Sequence, residues 1–177
     1  MILVAGATGN LGPSVIERLT ARGRRVRVLT RDPARARRLL VQETREQDIE
    51  LITGDVSIPS SLTPALDGIE TVVSAVTGFG PGGSGPMTVD LLGNGNLIAA
   101  AEAAKVQHFV LLSMHGARPD HPLELYRAKF LAEERLRKSR LAWTIIRPTV
   151  FMELWADIVS DSMTRSGKAT VFGRGDN

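Results

Sequence analysis

The chain contains no cysteine among its 177 residues, which excludes disulfide bonds, thiolate nucleophiles and cysteine-ligated metals. It also lacks a run of about 18 apolar residues, so we expect no membrane-spanning helix and no membrane partner. The N-terminus has no charged leader of the signal-peptide type, which predicts a cytoplasmic protein. The three histidines, His108, His115 and His121, show no metal-ligand spacing, and we expect no metal.

Aromatic residues are scarce and the charge is nearly balanced. They make up 5% of the chain, and the formal net charge is +3. The basic excess is concentrated in residues 18–38, which hold nine arginines and one acid but no aromatic residue. Because this stretch lacks interleaved aromatics and any recognition motif, we expect no nucleic-acid partner.

Short apolar runs alternate with segments of helical periodicity along the whole chain. The runs predict strands at residues 1–5, 26–29, 51–53, 71–75, 109–112, 143–146 and 169–172. Helices are expected from residue 13, from residue 33, and over residues 60–66, 89–104, 124–138 and 152–164. Continuous apolar strands are typical of parallel strands buried on both faces.

This pattern predicts an α/β fold, a Rossmann-type doubly wound parallel sheet with helices on both faces. We expect one domain over residues 1–177. The chain ends in a glycine-rich stretch, FGRGDN, which leads us to expect an incomplete C-terminal substrate-binding part.

The strongest motif is the glycine loop GATGNLG, which joins the first strand to the first helix. Its spacing is G-x-x-G-x-x-G. Gly6 allows a tight turn, Gly9 lets the backbone approach a diphosphate, and Gly12 lets the helix pack on the sheet. The helix N-terminus offers free N–H groups to the phosphates. We expect cofactor contacts from the loop residues Gly6, Thr8, Gly9, Asn10, Leu11 and Gly12. A glycine-rich turn without a ligand is the alternative.

The sequence resembles a known family. GATGNLG, LTRDP, the pair Gly54-Asp55, VVSA, FVLLS and LAWTIIRPTVF together resemble the atypical short-chain dehydrogenases/reductases, in particular the NmrA-like, NAD(P)-binding branch. The likeness runs over nearly all of the chain. It implies an NAD(P)-binding Rossmann domain, and members of this branch are longer than this chain.

The second strand leads into Arg31, where NAD-dependent enzymes carry an acid for the ribose 2′-hydroxyl. A guanidinium can grip a 2′-phosphate, so we expect NADP(H), with NAD(H) less favoured. The competing acid, Asp32, precedes Pro33 and is better explained as a helix cap. Arg35, Arg37 and Arg38 either add attraction or form a solvated helix face.

The resemblance places further residues at the cofactor. It puts Asp55 near the adenine with Val56 beside it, although a simple turn aspartate is the alternative. Ser74 and Ala75 end the fourth strand, where ligands of such sheets bind. The resemblance also places Ser113 and Pro148 at the site.

Ordinary short-chain dehydrogenases pair a catalytic tyrosine with a lysine four residues later on one helix face. Here Tyr126 and Lys129 are three residues apart, so Tyr126 lies about 100° around the helix from the required position. The pair is therefore broken, as is common in NmrA-like proteins. Lys129 matches the retained lysine and is the candidate catalytic residue and ligand of the nicotinamide ribose. A solvated helix lysine is the alternative. The exposed-loop candidate His115 is expected to be solvated.

Two functions remain open. The first is an NADPH-dependent reductase of a small carbonyl or quinone, a reaction in which the cofactor supplies the hydride. The second is a non-catalytic NADP(H) sensor that acts through a partner protein, which the missing pair favours. The glycine-rich loop at residues 77–86 is either a lid or a connector. The substrate and the oligomeric state are not determined by the sequence.

Overall fold

The computed structural model describes residues 1–40, 48–79 and 84–169. Its six strands form one parallel sheet in the order β3-β2-β1-β4-β5-β6. The strands are β1 (Ile2–Ala5), β2 (Val26–Thr30), β3 (Ile49–Thr53), β4 (Thr71–Ser74), β5 (His108–Leu112) and β6 (Ala142–Ile146). The α-helices are α1 (Gly12–Thr20), α2 (Pro33–Leu40), α3 (Asn94–Ala103), α4 (Glu124–Arg137) and α5 (Met152–Ser166).

The side chains of β1 alternate between two cores, one on each face of the sheet. Ile2 and Val4 pack with Ile16 of α1 and with Leu40 of α2. Leu3 packs on the other face against α3 and α4, in a cluster that contains Leu97, Ala101, Ala132 and Leu136. A strand covered on both faces has no polar face, which explains its unbroken ILVA sequence. The predicted doubly wound fold is confirmed.

The prediction that every strand is buried on both faces is wrong for β3 and β6, the two strands at the ends of the sheet. All four residues of β1 are buried, but four of the five residues of β6 are exposed and none of β3 is fully buried. Both strands end the sheet, so each has a neighbour on one side only. An apolar sequence run does not reveal a strand's place in the sheet order.

Two helical segments differ from the expectation. The helix expected over residues 60–66 is a pair of short 3₁₀ turns, Pro59–Ser61 and Pro64–Leu66. Each turn begins at a proline, and proline has no backbone N–H to donate to a preceding carbonyl, so one continuous helix does not form. The helix expected from residue 89 begins at Met87, and its first part, Met87–Gly93, is a π-helix that continues into α3. The other described elements agree with the predicted bounds within two residues.

The chain divides into two compact units, Met1–Arg147 and Pro148–Asn177, and each is described by itself. In the second unit, α5 ends at Gly167, whose φ of 67° and N–H bond to the Met163 carbonyl form a left-handed helix end. The strand expected at residues 169–172 lies largely outside the described residues. The single-domain assignment stays a prediction. In the described parts of the chain, no helix has the length and apolarity needed to cross a membrane.

Candidate functional site

A cleft of about 270 Å³ opens at the carboxyl ends of β1, β2 and β4. The chain leaves β1 toward β2 and β3 on one side and returns to pair β4 on the other, so the cleft lies where the strand order reverses. This is the position at which open α/β sheets bind ligands. Seven of the predicted site residues line it: Gly6, Thr8, Gly9, Arg31, Asp55, Val56 and Ala75.

The three glycines of the loop have three different environments. Gly6 has a φ of +85°, and a Cβ there would lie 2.5 Å from the Ala75 backbone, so the turn demands glycine. A Cβ on Gly12 would lie 2.2 Å from the Ala7 carbonyl oxygen, so α1 packs too closely for a side chain. A Cβ on Gly9 would meet just the Gly6 carbonyl oxygen, at an ordinary 3.4 Å. The packing of the protein therefore does not require glycine at position 9, and the Gly9 backbone lines the cleft without a side chain over it.

The N-terminus of α1 fits an anionic ligand. In the described part of the chain no side chain caps this helix, because its N-cap position is the apolar Leu11. Its first turn carries no acidic residue. The helix end therefore keeps its partial positive charge. The expectation of free N–H groups is wrong for its first two residues, because the Gly12 N–H donates to the Gly9 carbonyl oxygen at 3.2 Å and Pro13 has no N–H. A diphosphate against Gly9 would lie in the favourable field of this helix end.

Arginine dominates the cleft beyond β2. Arg31 and Arg35 both line it and both are exposed. Asp32 lies between them, but its Oδ1 accepts the Arg35 backbone N–H at 2.9 Å. This is the hydrogen bond of an N-cap to the third residue of a helix, so the predicted capping role of Asp32 is confirmed. The rim is thus left with guanidinium groups, a suitable environment for a phosphate.

Asp55 is a turn residue that also lines the cleft. Its Oδ1 accepts hydrogen bonds from the Ser57 backbone N–H at 2.8 Å and from the Ser57 hydroxyl at 2.7 Å, which makes a local turn. It also lines the cleft. Burial raises the pKa of the Asp55 carboxyl, but the Ser57 bonds and the charge of Arg31 outweigh burial, so this pKa lies below its usual value. Asp55 is therefore a fixed anion facing Arg31.

A buried polar network lies behind the cleft wall. The Ser74 hydroxyl donates to Asn94 Oδ1 at 2.6 Å, and Asn94 Nδ2 donates to the Asp90 carbonyl at 2.8 Å. The Asp90 carboxylate forms an ion pair with Lys129, with 2.9 Å between Oδ1 and Nζ. Asp90 is fully buried and Lys129 is 6% exposed. The alternative of a solvated lysine at position 129 is therefore wrong.

A second buried carboxylate, Glu133, follows Lys129 by one helical turn. Arg147 donates to both of its oxygens, at 2.8 and 2.5 Å, and Arg137 donates to Oε2 at 2.9 Å. Burial raises the pKa of Glu133, but the hydrogen bonds from Arg147 and Arg137 and the proximity of Ser113 outweigh it and hold this pKa below its usual value. The buried Ser113 hydroxyl lies near this carboxylate but is not aligned well enough to form a hydrogen bond with it. This cluster ties α4 to the end of β6.

The remaining predicted residues occupy other places. As the described residues define it, the cleft lining leaves out Asn10, Leu11, Gly12, Ser74, Ser113 and Lys129. Pro148 belongs to the second unit. Tyr126 stacks on His121 with ring centroids 3.8 Å apart, so the expectation that it does not join Lys129 agrees with its position. His115 is exposed, as expected.

Sequence reasoning missed part of the site. Thr30, Gly54, Val76 and Val89 line the cleft, and Asp90, Asn94 and Glu133 lie buried behind it or nearby. A signal for the buried group was present in the four-residue spacing of Asp90 and Asn94 and of Lys129 and Glu133, which places each pair on one helix face. Among the described residues, no group of three or more acidic or histidine side chains could hold a metal ion.

Comparison with known proteins identifies the family. A model of the NAD(P)H-binding family matches residues 6–168. The chain belongs to this NAD(P)H-binding family. The match confirms the resemblance to NmrA-like, atypical short-chain dehydrogenases/reductases. The chain is similar in sequence and fold to NAD(P)H-dependent oxidoreductases.

Relatives of this NAD(P)H-binding chain have different described roles. A photosystem II assembly factor, Ycf39, of Cyanophora paradoxa is 36% identical over 152 residues, 86% of this chain and 46% of that protein. An NAD(P)H azoreductase of Xenophilus azovorans is 33% identical over 154 residues, 86% of this chain and 49% of that enzyme. The chain thus spans about half the length of these relatives.

Solved structures that resemble this chain include complexes with a nicotinamide cofactor. An NADPH-dependent quinone oxidoreductase of Escherichia coli, in complex with NADPH, matches with a TM-score of 0.75 and 27% identity. The match covers 93% of this chain and 54% of that enzyme.

Proposed function

We propose that the chain is the cofactor-binding part of a reductase that uses NADPH and transfers hydride to a small carbonyl or quinone. The observation that carries the proposal is the cleft at the strand-order reversal, which is lined both by Gly9, a residue without a side chain, and by Arg31 and Arg35. A diphosphate suits the first group and a 2′-phosphate the second. The described roles of the azoreductase and the quinone oxidoreductase relatives support this class of reaction.

The residues near the cleft suit an acceptor that needs no strong protein acid. Tyr126 is stacked on His121, and Lys129 is enclosed by three oxygens, so neither is placed as a proton donor. NADPH, when bound, supplies the hydride. A quinone that accepts this hydride forms a hydroquinone anion, which takes its proton from water. The protein's own part is to hold the phosphates and to fix the cleft wall.

Separate titrations of NADPH and NADH test the cofactor proposal. The wild-type chain is expected to bind NADPH more tightly. Arg31→Ala should weaken NADPH by about 10- to 100-fold, the equivalent of one or two hydrogen bonds to a charged group, and leave NADH nearly unchanged. Arg118→Ala, at an exposed arginine paired with Asp120 away from the cleft, is the control and should change neither affinity. Equal affinity of the wild type for the two cofactors would refute the role of Arg31.

A second candidate is a non-catalytic NADP(H) sensor that acts through a protein partner. The broken tyrosine–lysine arrangement favours it, and one relative is described as a photosystem II assembly factor rather than as an enzyme. Steady-state NADPH oxidation against quinones, aldehydes and azo compounds separates the two. Binding without turnover of any acceptor would favour the sensor. A cytoplasmic location stays a prediction of the sequence.

A further inference from the structure

The Lys129 ammonium group forms two hydrogen bonds and one ion pair inside the protein. It donates to the carbonyl oxygens of Val76 and Leu112, each at 3.0 Å, and lies 2.9 Å from Asp90 Oδ1. An ammonium has three N–H donors, and three oxygens surround this one. Since the side chain is also 6% exposed, these protein contacts compete with any contact between Lys129 and a ligand.

Asp90 joins Lys129 to the cleft wall. Its Oδ2 accepts the Gly78 backbone N–H at 2.8 Å and lies 3.4 Å from the Thr77 hydroxyl. Val76, Thr77 and Gly78 are consecutive residues of the cleft lining. The ion pair therefore holds this short segment at two points, the Val76 carbonyl through Lys129 and the Gly78 amide through Asp90.

Asp90 is itself rigidly placed. It belongs to the π-helical segment, and its own carbonyl accepts Asn94 Nδ2, whose Oδ1 in turn accepts the buried Ser74 hydroxyl. Ser74 ends β4, and Leu112, the second carbonyl partner of Lys129, ends β5. The network thus links the carboxyl ends of two strands to the wall that follows β4.

We propose that Lys129 and Asp90 are a pair of positioning residues that fix the Val76–Gly78 wall of the cofactor cleft, and that Lys129 does not contact the cofactor. The inference rests on the proposed NADPH function for its binding readout. It replaces the ribose-binding role expected for Lys129 from the family resemblance. Each residue acts through the other, because a lone buried charge is far less stable than the pair.

Three variants of the full 177-residue chain test the pair: Lys129→Met, Asp90→Asn and the double variant. Lys138→Met, at an exposed position that caps the same helix, is the matched control. Two readouts are needed, the NADPH dissociation constant from cofactor fluorescence and the amide hydrogen exchange of residues 75–79 in the free protein. The second does not depend on the cofactor.

Both single variants should weaken NADPH binding by about tenfold, the equivalent of one hydrogen bond to a charged group, and should speed exchange at residues 76–78 by a similar factor. The double variant should bind NADPH at least as tightly as the single variant with the lower affinity, because the pair acts as one unit. The double variant also carries no unpaired charge, so it serves where Asp90→Asn does not fold. Lys138→Met should match the wild type.

Other outcomes overturn the proposal. Weakened NADPH binding in Lys129→Met with unchanged binding in Asp90→Asn would mean that Lys129 contacts the cofactor directly. Unchanged exchange at residues 76–78 in every variant would mean that the pair does not hold the wall. A wild-type chain that binds no NADPH would instead refute the proposed function, and the exchange measurement would still decide whether the pair positions the wall.

Discussion

Gly9→Ala separates the needs of the ligand from those of the fold. The added methyl group meets just the Gly6 carbonyl oxygen, at 3.4 Å, and the backbone at Gly9 is not left-handed. Folding should therefore tolerate it, and the reduced freedom of the unfolded chain should change the free energy of unfolding by zero to about +1 kcal/mol. The same methyl group stands between the backbone and the expected diphosphate. Loss of one charge-assisted hydrogen bond costs about 1.5–3 kcal/mol, which is about a 10- to 100-fold loss of NADPH affinity.

The assay pairs urea unfolding with NADPH titration by cofactor fluorescence. Gly23→Ala is the control with the opposite behaviour, because Gly23 has a φ of +69° and lies outside the cleft lining. It should lose about 1–2 kcal/mol of unfolding free energy and keep its NADPH affinity. A Gly9→Ala chain that is stable and binds NADPH as tightly as the wild type would refute the assignment of the glycine loop.

Three further changes have defined outcomes. Gly12→Ala pushes a methyl group to within 2.2 Å of the Ala7 carbonyl oxygen and should destabilise the fold by about 1–3 kcal/mol in urea unfolding; a neutral effect would contradict the close packing of α1. Asp32→Ala should cost about 1 kcal/mol as a lost cap without changing the ratio of NADPH to NADH affinity, whereas a changed ratio would make Asp32 a cofactor ligand. Glu133→Gln should cost about 1–3 kcal/mol at pH 7, since it removes the charged partner of Arg147 and leaves Arg137 paired with Glu134 alone.

The pH dependence of the Glu133→Gln effect follows from the lowered pKa of this carboxyl group. A depressed folded-state pKa stabilises the protein fully above the unfolded-state value of about 4.3, and this contribution is lost as the pH falls through the folded-state pKa. The difference in unfolding free energy between wild type and Glu133→Gln should therefore shrink below about pH 4. A difference that is constant with pH would show that Glu133 contributes through packing alone.

The local parts of the site could be predicted from the sequence. The glycine loop and the Asp32 cap depend on neighbours within a few residues, and each residue type there has one physical reason for its position. The alternation of apolar runs with helical periodicity likewise predicts a parallel sheet covered by helices, because parallel strands require crossover connections, but it does not determine the order of the strands.

The long-range parts could not be predicted. Asp90 and Lys129 are 39 residues apart and meet because the π-helical segment packs against α4, a contact that no local pattern encodes. The family resemblance indicates the lysine, but it predicts neither the burial of its side chain nor its carboxylate partner. Similarly, β6 has the apolar sequence of an inner strand although it ends the sheet, and the periodicity of a sequence does not reveal a strand's place in the sheet order.

A crystal structure of the chain with NADPH tests the central claim most directly. We expect the diphosphate against the Gly9 backbone and the first turn of α1, and the 2′-phosphate within hydrogen-bond distance of Arg31. A cleft that stays empty at saturating NADPH, or a cofactor bound elsewhere on the protein, would contradict it.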